Sequence, residues 1–249
     1  FYLYPLDKSF DADGKDLNAT PNGSFYTFTS RLGLDVTGPD IGKARSSAKI
    51  ETDFGGFSGS NTMLRIRQAY VNLDWGKSAV LVGITWHPLF GAVMPDVLNL
   101  STGAPFQPFN RSPQIRYQYK ANSRVQLMAS VLWQLQYLSS GPKGMSEDYI
   151  KNSCIPEMFV GADFTPADGW LMGLGAHMIS LKPRTSTEWK EQTFKVNERM
   201  TAFSYEAHLK YSGRNYTFAA KTLMASALDH TALLGGYGVS SVDSRTGEQ

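Results

Sequence analysis

Few side chains in this sequence are able to do chemistry. Histidine occurs at His87, His177, His208 and His230, and cysteine only at Cys154. His177 and His208 fall on the polar parity of neighbouring strand-like segments, but no serine or carboxylate stands around them at a spacing that would make a nucleophile and its base. A hydrolase built on His and Ser is the enzyme reading to weigh, and polar wall residues are the simpler account. The sequence holds no His-x-x-x-His, no paired cysteines, no acidic cluster and no phosphate-cradling glycine motif, so neither a metal nor a cofactor is expected. Cys154 has no cysteine to pair with and reads as a tolerated loop residue. The expectation is a protein that is not an enzyme.

The charged residues carry more information than the histidines. Arg31, Lys49, Arg65, Arg67, Arg116, Lys120 and Arg124 share the polar parity of the first six strand-like segments, where they outnumber Asp35, Glu51 and Asp53. Lining one wall of a pore, they would make a field favouring anionic solutes. Solvated wall charge without selectivity is the alternative. Across the whole chain 24 basic residues face 22 acidic ones, and they are scattered rather than striped, so no nucleic-acid partner is implied.

These side chains must be positioned by strands. In Tyr205-Glu206-Ala207-His208-Leu209-Lys210-Tyr211 every odd residue is apolar or aromatic and every even one is ionisable, the period of a strand with one oily and one wet face. The same alternation predicts strands over 24–36, 46–54, 63–75, 79–85, 114–120, 125–137, 158–165, 170–181, 200–211 and 216–227. The third has a parity conflict, with Leu64 and Ile66 even but Val71, Leu73 and Trp75 odd. A β-bulge near Gln68 resolves it, turning Arg65 and Arg67 inward first and Tyr70 and Asn72 inward later.

Connection lengths set the architecture. Short turns follow the third, fifth, seventh and ninth strands, and long loops follow the fourth, sixth and eighth. Outer-membrane barrels have short periplasmic turns and long extracellular loops, whereas a soluble sandwich has no reason to sort its loops this way. Trp75, Tyr119, Trp170, Tyr211 and Tyr216 lie beside the short turns on the apolar parity, as an aromatic girdle at the headgroup level would. Core aromatics of a sandwich are the competing account.

A mean hydropathy of −0.27 and a hydrophobic content of 42% look soluble, and no run approaches the ~20 apolar residues of a membrane helix. Neither speaks against a barrel, since a barrel strand needs only about 10 residues and half of them face the lumen. The fold expected is all-β, one antiparallel transmembrane β-barrel over residues 1–249 with at least ten strands, in the outer membrane of a Gram-negative bacterium. It would contact outer-membrane lipid and lipopolysaccharide. Its beginning without a signal sequence and its polar end at Arg245-Thr246-Gly247-Glu248-Gln249 suggest a longer natural protein. The loop over 86–112 is rich in apolar residues, among them Leu89, Phe90, Val93, Met94, Val97, Leu98, Phe106 and Phe109. Such a loop is expected to fold back and narrow the pore, a lid or a subunit contact being the alternatives.

Arg65-Ile66-Arg67-Gln68-Ala69-Tyr70-Val71 and Gly83-Ile84-Thr85-Trp86-His87-Pro88-Leu89-Phe90 resemble the basic strand, return strand and Trp-containing turn of DcaP-like porins and the phosphate-selective porin O and P group. Pro105-Phe106-Gln107-Pro108-Phe109-Asn110-Arg111-Ser112-Pro113-Gln114-Ile115-Arg116 and Leu181-Lys182-Pro183-Arg184 resemble porin-like proteins of Bacteroides-type bacteria. The resemblance implies a homotrimer of 16-stranded barrels passing small, often anionic solutes, with Arg65, Arg67, Arg111 and Arg116 lining or bracing the pore. No phosphate-binding lysine motif of the family is matched. The expectation is thus a porin for passive diffusion of small hydrophilic solutes. A surface-exposed binding barrel within an envelope assembly, without an open pore, is the alternative, and a secreted glycan-binding sandwich is a third reading.

Overall fold

A computed structural model describes residues 7–21, 30–55, 63–94, 107–241 and 243. Its strands in chain order are β1 (Arg31–Thr37), β2 (Arg45–Asp53), β3 (Arg65–Asp74), β4 (Ser78–Trp86), β5 (Arg111–Lys120), β6 (Val125–Leu132), β7 (Ser140–Gly141), β8 (Gly144–Met145), β9 (Glu157–Phe164), β10 (Trp170–Leu181), β11 (Ser186–Trp189), β12 (Gln192–Lys195), β13 (Met200–Ser212) and β14 (Thr217–Met224). One short helix, α1 (Asp148–Ser153), lies between β8 and β9. Ten strands form one antiparallel sheet in the order β1-β2-β3-β4-β5-β6-β9-β10-β13-β14. The small hairpins β7-β8 and β11-β12 sit in the long connections and pair only within themselves.

Period-two alternation gives the sheet two unlike faces. Val36, Ala48, Val71, Val82, Ile115, Val131, Met158, Met178 and Phe203 are successive register partners from β1 to β13, an apolar row across nine neighbouring strands. Much of that face is bare, with Leu34, Ile50, Val82, Val160, Leu174 and Phe203 each more than half exposed. An uncovered apolar surface of this extent is unstable in water and suits lipid. The opposite face holds Asn72, Leu81, Arg116, Ser130, Phe159, His177 and Ser204 in one row and is covered by folded-in loops.

Those loops make the packed interior. Leu89, from the connection after β4, is buried with Leu132, Phe159 and Leu228. Tyr149 and Ile150 of α1 pack on Ile179, Leu181 and Ala202 of the wall. Both clusters lie toward the long-loop end of the strands, leaving the short-turn end to plain hairpins.

The bulge in β3 is present: Glu51 pairs with Gln68 and Thr52 with Ile66, leaving Arg67 as the extra residue. Two expected strands are shorter than their alternation: the last, expected over 216–227, ends at Met224, and the sixth is cut further. β6 ends at Leu132, and the residues expected to carry it to Tyr137 leave the sheet instead. There Gln134 exchanges hydrogen bonds with Ser139, and Gln136 donates to the Ile66 carbonyl. The local Gln134–Ser139 pair and the distant anchor on Ile66 together outcompete continuation of the ladder, which sequence alternation cannot reveal. The start of the first expected strand, residues 24–29, lies outside the described residues, as do Val97, Leu98, Phe106 and the final 244–249.

Candidate functional site on the inner face

Arg67, made the extra residue by the bulge, lies on the same side as Arg65, and both meet acids of β2. Arg65 donates through Nε to Asp53 Oδ1 at 2.9 Å and through Nη2 to Oδ2 at 2.7 Å. Arg67 donates to Asp53 Oδ2 at 2.7 Å and to Glu51 Oε1. Lys49 pairs with Asp35 of β1 at 3.0 Å. Much of the expected basic excess is therefore matched locally by carboxylates, and the field along this part of the wall is weaker than the sequence implied.

The remaining expected lining residues are dispersed. Arg31 stands opposite Asp53 in register and is exposed. Lys120 and Arg124 flank the β5–β6 turn and are exposed. Arg116 is inside, donating to the Trp86 carbonyl at 2.6 Å and to Gln114 Oε1 at 3.0 Å. Arg111 does not face open lumen. It is 1% exposed, its guanidinium lies 5.0 Å from the Trp86 ring centre and 5.8 Å from that of Phe109, and it donates to Tyr137 Oη. Trp75, Tyr119, Trp170, Tyr211 and Tyr216 all lie at the short-turn end, where Trp170, Tyr211 and Tyr216 form a contiguous run with centroid separations of 4.8 and 5.7 Å.

A second cluster was not foreseen. Nε2 of His87, of His177 and of His230 lie 2.7, 2.7 and 3.1 Å from one oxygen, Glu157 Oε1. All four side chains are 0% exposed. His87 begins the connection after β4, Glu157 opens β9, His177 is on the inner face of β10 and His230 lies beyond β14. His87 Nδ1 accepts the Leu89 backbone N–H at 3.1 Å, which fixes the ring on the chain turn that follows it. Burial outweighs the Glu157 carboxylate at His87 and pushes its pKa down to about 4. At His230 burial also opposes the charge, but Glu157, with Asp229 adding to it, raises the pKa.

Sequence reasoning missed this group because His87 and His230 are 70 and 73 residues from Glu157 on two sides and His177 is 20 residues after it, with no motif joining them. Connection order held the usable signal. His87, Glu157, His177 and His230 all fall near the long-loop end of their strands, so alternating short and long connections already brought them to one level of the wall.

Below this cluster the folded loop encloses a cavity of about 360 Å³ lined by Trp86 and Phe90 and by the wall residues Arg116, Gln118, Gln126, Asp163, Glu206 and His208. His208 sits between two carboxylates, 3.3 Å from Asp163 and 3.4 Å from Glu206. It fits there because β10 supplies Gly173 and Gly175: a Cβ on the first would stand 2.2 Å from the His208 ring and one on the second 2.6 Å from Phe159. Lys221 of β14 holds the loop from the far side, donating to the carbonyls of Leu89 and Phe90.

An antiparallel wall with an apolar outer face, a polar inner face and loops folded against it is the architecture of an outer-membrane β-barrel. Among solved structures the chain is similar to OmpTdeltaL8, a loop L8 deletion mutant of OmpT, an outer membrane protein of Vibrio cholerae, with a TM-score of 0.50 at 14% identity over 79% of this chain. The match spans 61% of the length of that structure. No family model matches the chain, and no curated protein matches it either.

Proposed function

We propose that the chain forms a porin-type channel in the outer membrane of a Gram-negative bacterium, through which small hydrophilic solutes diffuse past an inward loop. The observation that carries this reading is the connection after β4, fixed on the inner face by Leu89 in an apolar pocket and by Lys221 on two of its carbonyls, beside a cavity where aromatic and aliphatic side chains of the loop face charged and amide side chains of the wall. A loop so held narrows a lumen and leaves a polar passage beside it. The residues that would meet a solute there are Arg116, Gln118, Gln126, Asp163, Glu206 and His208. Any preference for anions rests on Arg31, Arg116, Lys120 and Arg124, since Lys49, Arg65 and Arg67 are offset by Asp35, Asp53 and Glu51. The resemblance to DcaP-like and phosphate-selective porins, a 16-stranded barrel and a homotrimer belong to the same proposal. Planar-bilayer recording of the full-length protein tests it. Stepwise conductance is expected, and correctly folded, heat-modifiable protein that never conducts would sink the reading in favour of a plugged binding barrel.

A further inference from the structure

Three ring nitrogens aimed at Glu157 Oε1 leave an unbalanced account. A carboxylate oxygen offers about two lone-pair sites, and each carboxylate about four. Here one oxygen faces three imidazoles, while the other, Oε2, is buried without a hydrogen-bond partner. Buried polar atoms are otherwise nearly always satisfied, and a hydrogen-bonded cluster alone would spread its donors over both oxygens.

The three histidines are not equivalent. Because His87 Nδ1 accepts the Leu89 N–H, that ring carries its proton on Nε2 and donates to Glu157. His177 Nδ1 has no hydrogen-bond partner, and the His230 ring turns its Nδ1 toward the Ala227 backbone. Nothing there fixes the proton of either ring on Nε2, so each can offer a bare Nε2 lone pair. Two imidazole nitrogens then meet one carboxylate oxygen at a buried point, with the second carboxylate oxygen unpartnered on the same group, a donor set of borderline character that suits zinc and neighbouring divalent ions. Glu157 and His177 already place their ligand atoms within 4.8 Å of one another, and His230 Nε2 stands 3.1 Å from the same Glu157 oxygen.

We propose that Glu157, His177 and His230 form a structural zinc-type metal site, with His87 as the positioning residue that orients the carboxylate. The ion would fasten the segment after β14 to the wall, and His87 would tie the folded loop to the same point. A metal-bound carboxylate held by an outer hydrogen bond is a recurrent arrangement. Enclosure on every side makes the role structural, because no position is left open to substrate.

The test uses the full chain purified in detergent, stripped with chelator and titrated with zinc or with cobalt(II), and does not depend on channel activity. One zinc per chain is expected, with visible cobalt d–d bands of a low-coordinate nitrogen and oxygen site and a rise in thermal midpoint on loading. Glu157→Gln, His177→Ala and His230→Ala should each abolish the cobalt spectrum. His87→Gln, which keeps a donor toward Glu157, should retain it with affinity lowered about 10- to 100-fold. Folded wild-type protein that takes up neither zinc nor cobalt would overturn the site and leave a hydrogen-bonded latch. A cobalt spectrum unchanged by His177→Ala combined with Glu157→Gln would overturn it too.

Discussion

At the bulge of β3 four charged side chains meet within two adjacent strands, whereas around Glu157 the partners come from a loop, a wall strand and the segment beyond the last strand. The first cluster joins Arg65 and Arg67 to Asp53 and Glu51, neighbours that the ladder would bring together in any case. It tunes the charge of the wall without deciding where any loop goes. The second holds down two long segments at once and is fully enclosed. Charge on a barrel wall thus does two kinds of work, told apart by whether the partners stand on neighbouring strands or on folded-in segments.

The sharpest way to break this contrast is to remove each central carboxylate. Glu157→Ala leaves three imidazoles facing an empty space and should cost about 3 to 5 kcal/mol, the range for breaking a buried ionic cluster. Urea unfolding in micelles reads that loss, and bilayer recording should show larger, noisier openings as the loop detaches. Asp53→Asn should cost less, about 1.5 to 3 kcal/mol, since the asparagine oxygen still accepts from the two arginines and Glu51 still holds Arg67. A larger loss at Asp53 than at Glu157 would reverse the ranking drawn here. Gly175→Val drives side-chain atoms into Phe159, which packs with Leu89, and should cost about 1 to 3 kcal/mol by overpacking, read as a lowered thermal midpoint. Lys221→Met loses the donor to the Leu89 and Phe90 carbonyls and should cost about 1 to 2 kcal/mol, with greater current noise as its more sensitive readout. Tyr216→Ala, at an exposed position beside a short turn, should stay within about 0.5 kcal/mol in urea titration.

The same contrast explains how much could be read from the sequence. Strand parity, the bulge that turns Arg65 and Arg67 to one side, and the sorting of short and long connections are all local patterns, and the ladder follows them. Trp170–Leu181 of β10 matches its expected span because nothing but alternation governs it. Residues beyond Leu132 do not follow, because Gln134 bonds with Ser139 and Gln136 with the Ile66 carbonyl, which turns the chain out of the ladder. Arg111 sits on the apolar parity yet is enclosed by Trp86, its register partner on β4, by Phe109 just before it and by Tyr137 beyond β6, a meeting of three segments that alternation does not encode. The Glu157 group depends on loops folding back, and loop trajectories leave no periodic trace.

Distance along the chain also gives the Glu157 group a place in time. The wall is made of pairings between strands that follow one another around the sheet, contacts that close shorter loops and form earlier, while Glu157, joined to His177 across the β9–β10 hairpin, waits for partners 70 residues before it and 73 after it. The wall therefore assembles first, with a buried carboxylate and two of its histidines still apart, and the inner loops lock only once β14 has docked. Refolding should show two phases, a fast gain of strand signal and a slower step that Glu157→Ala removes.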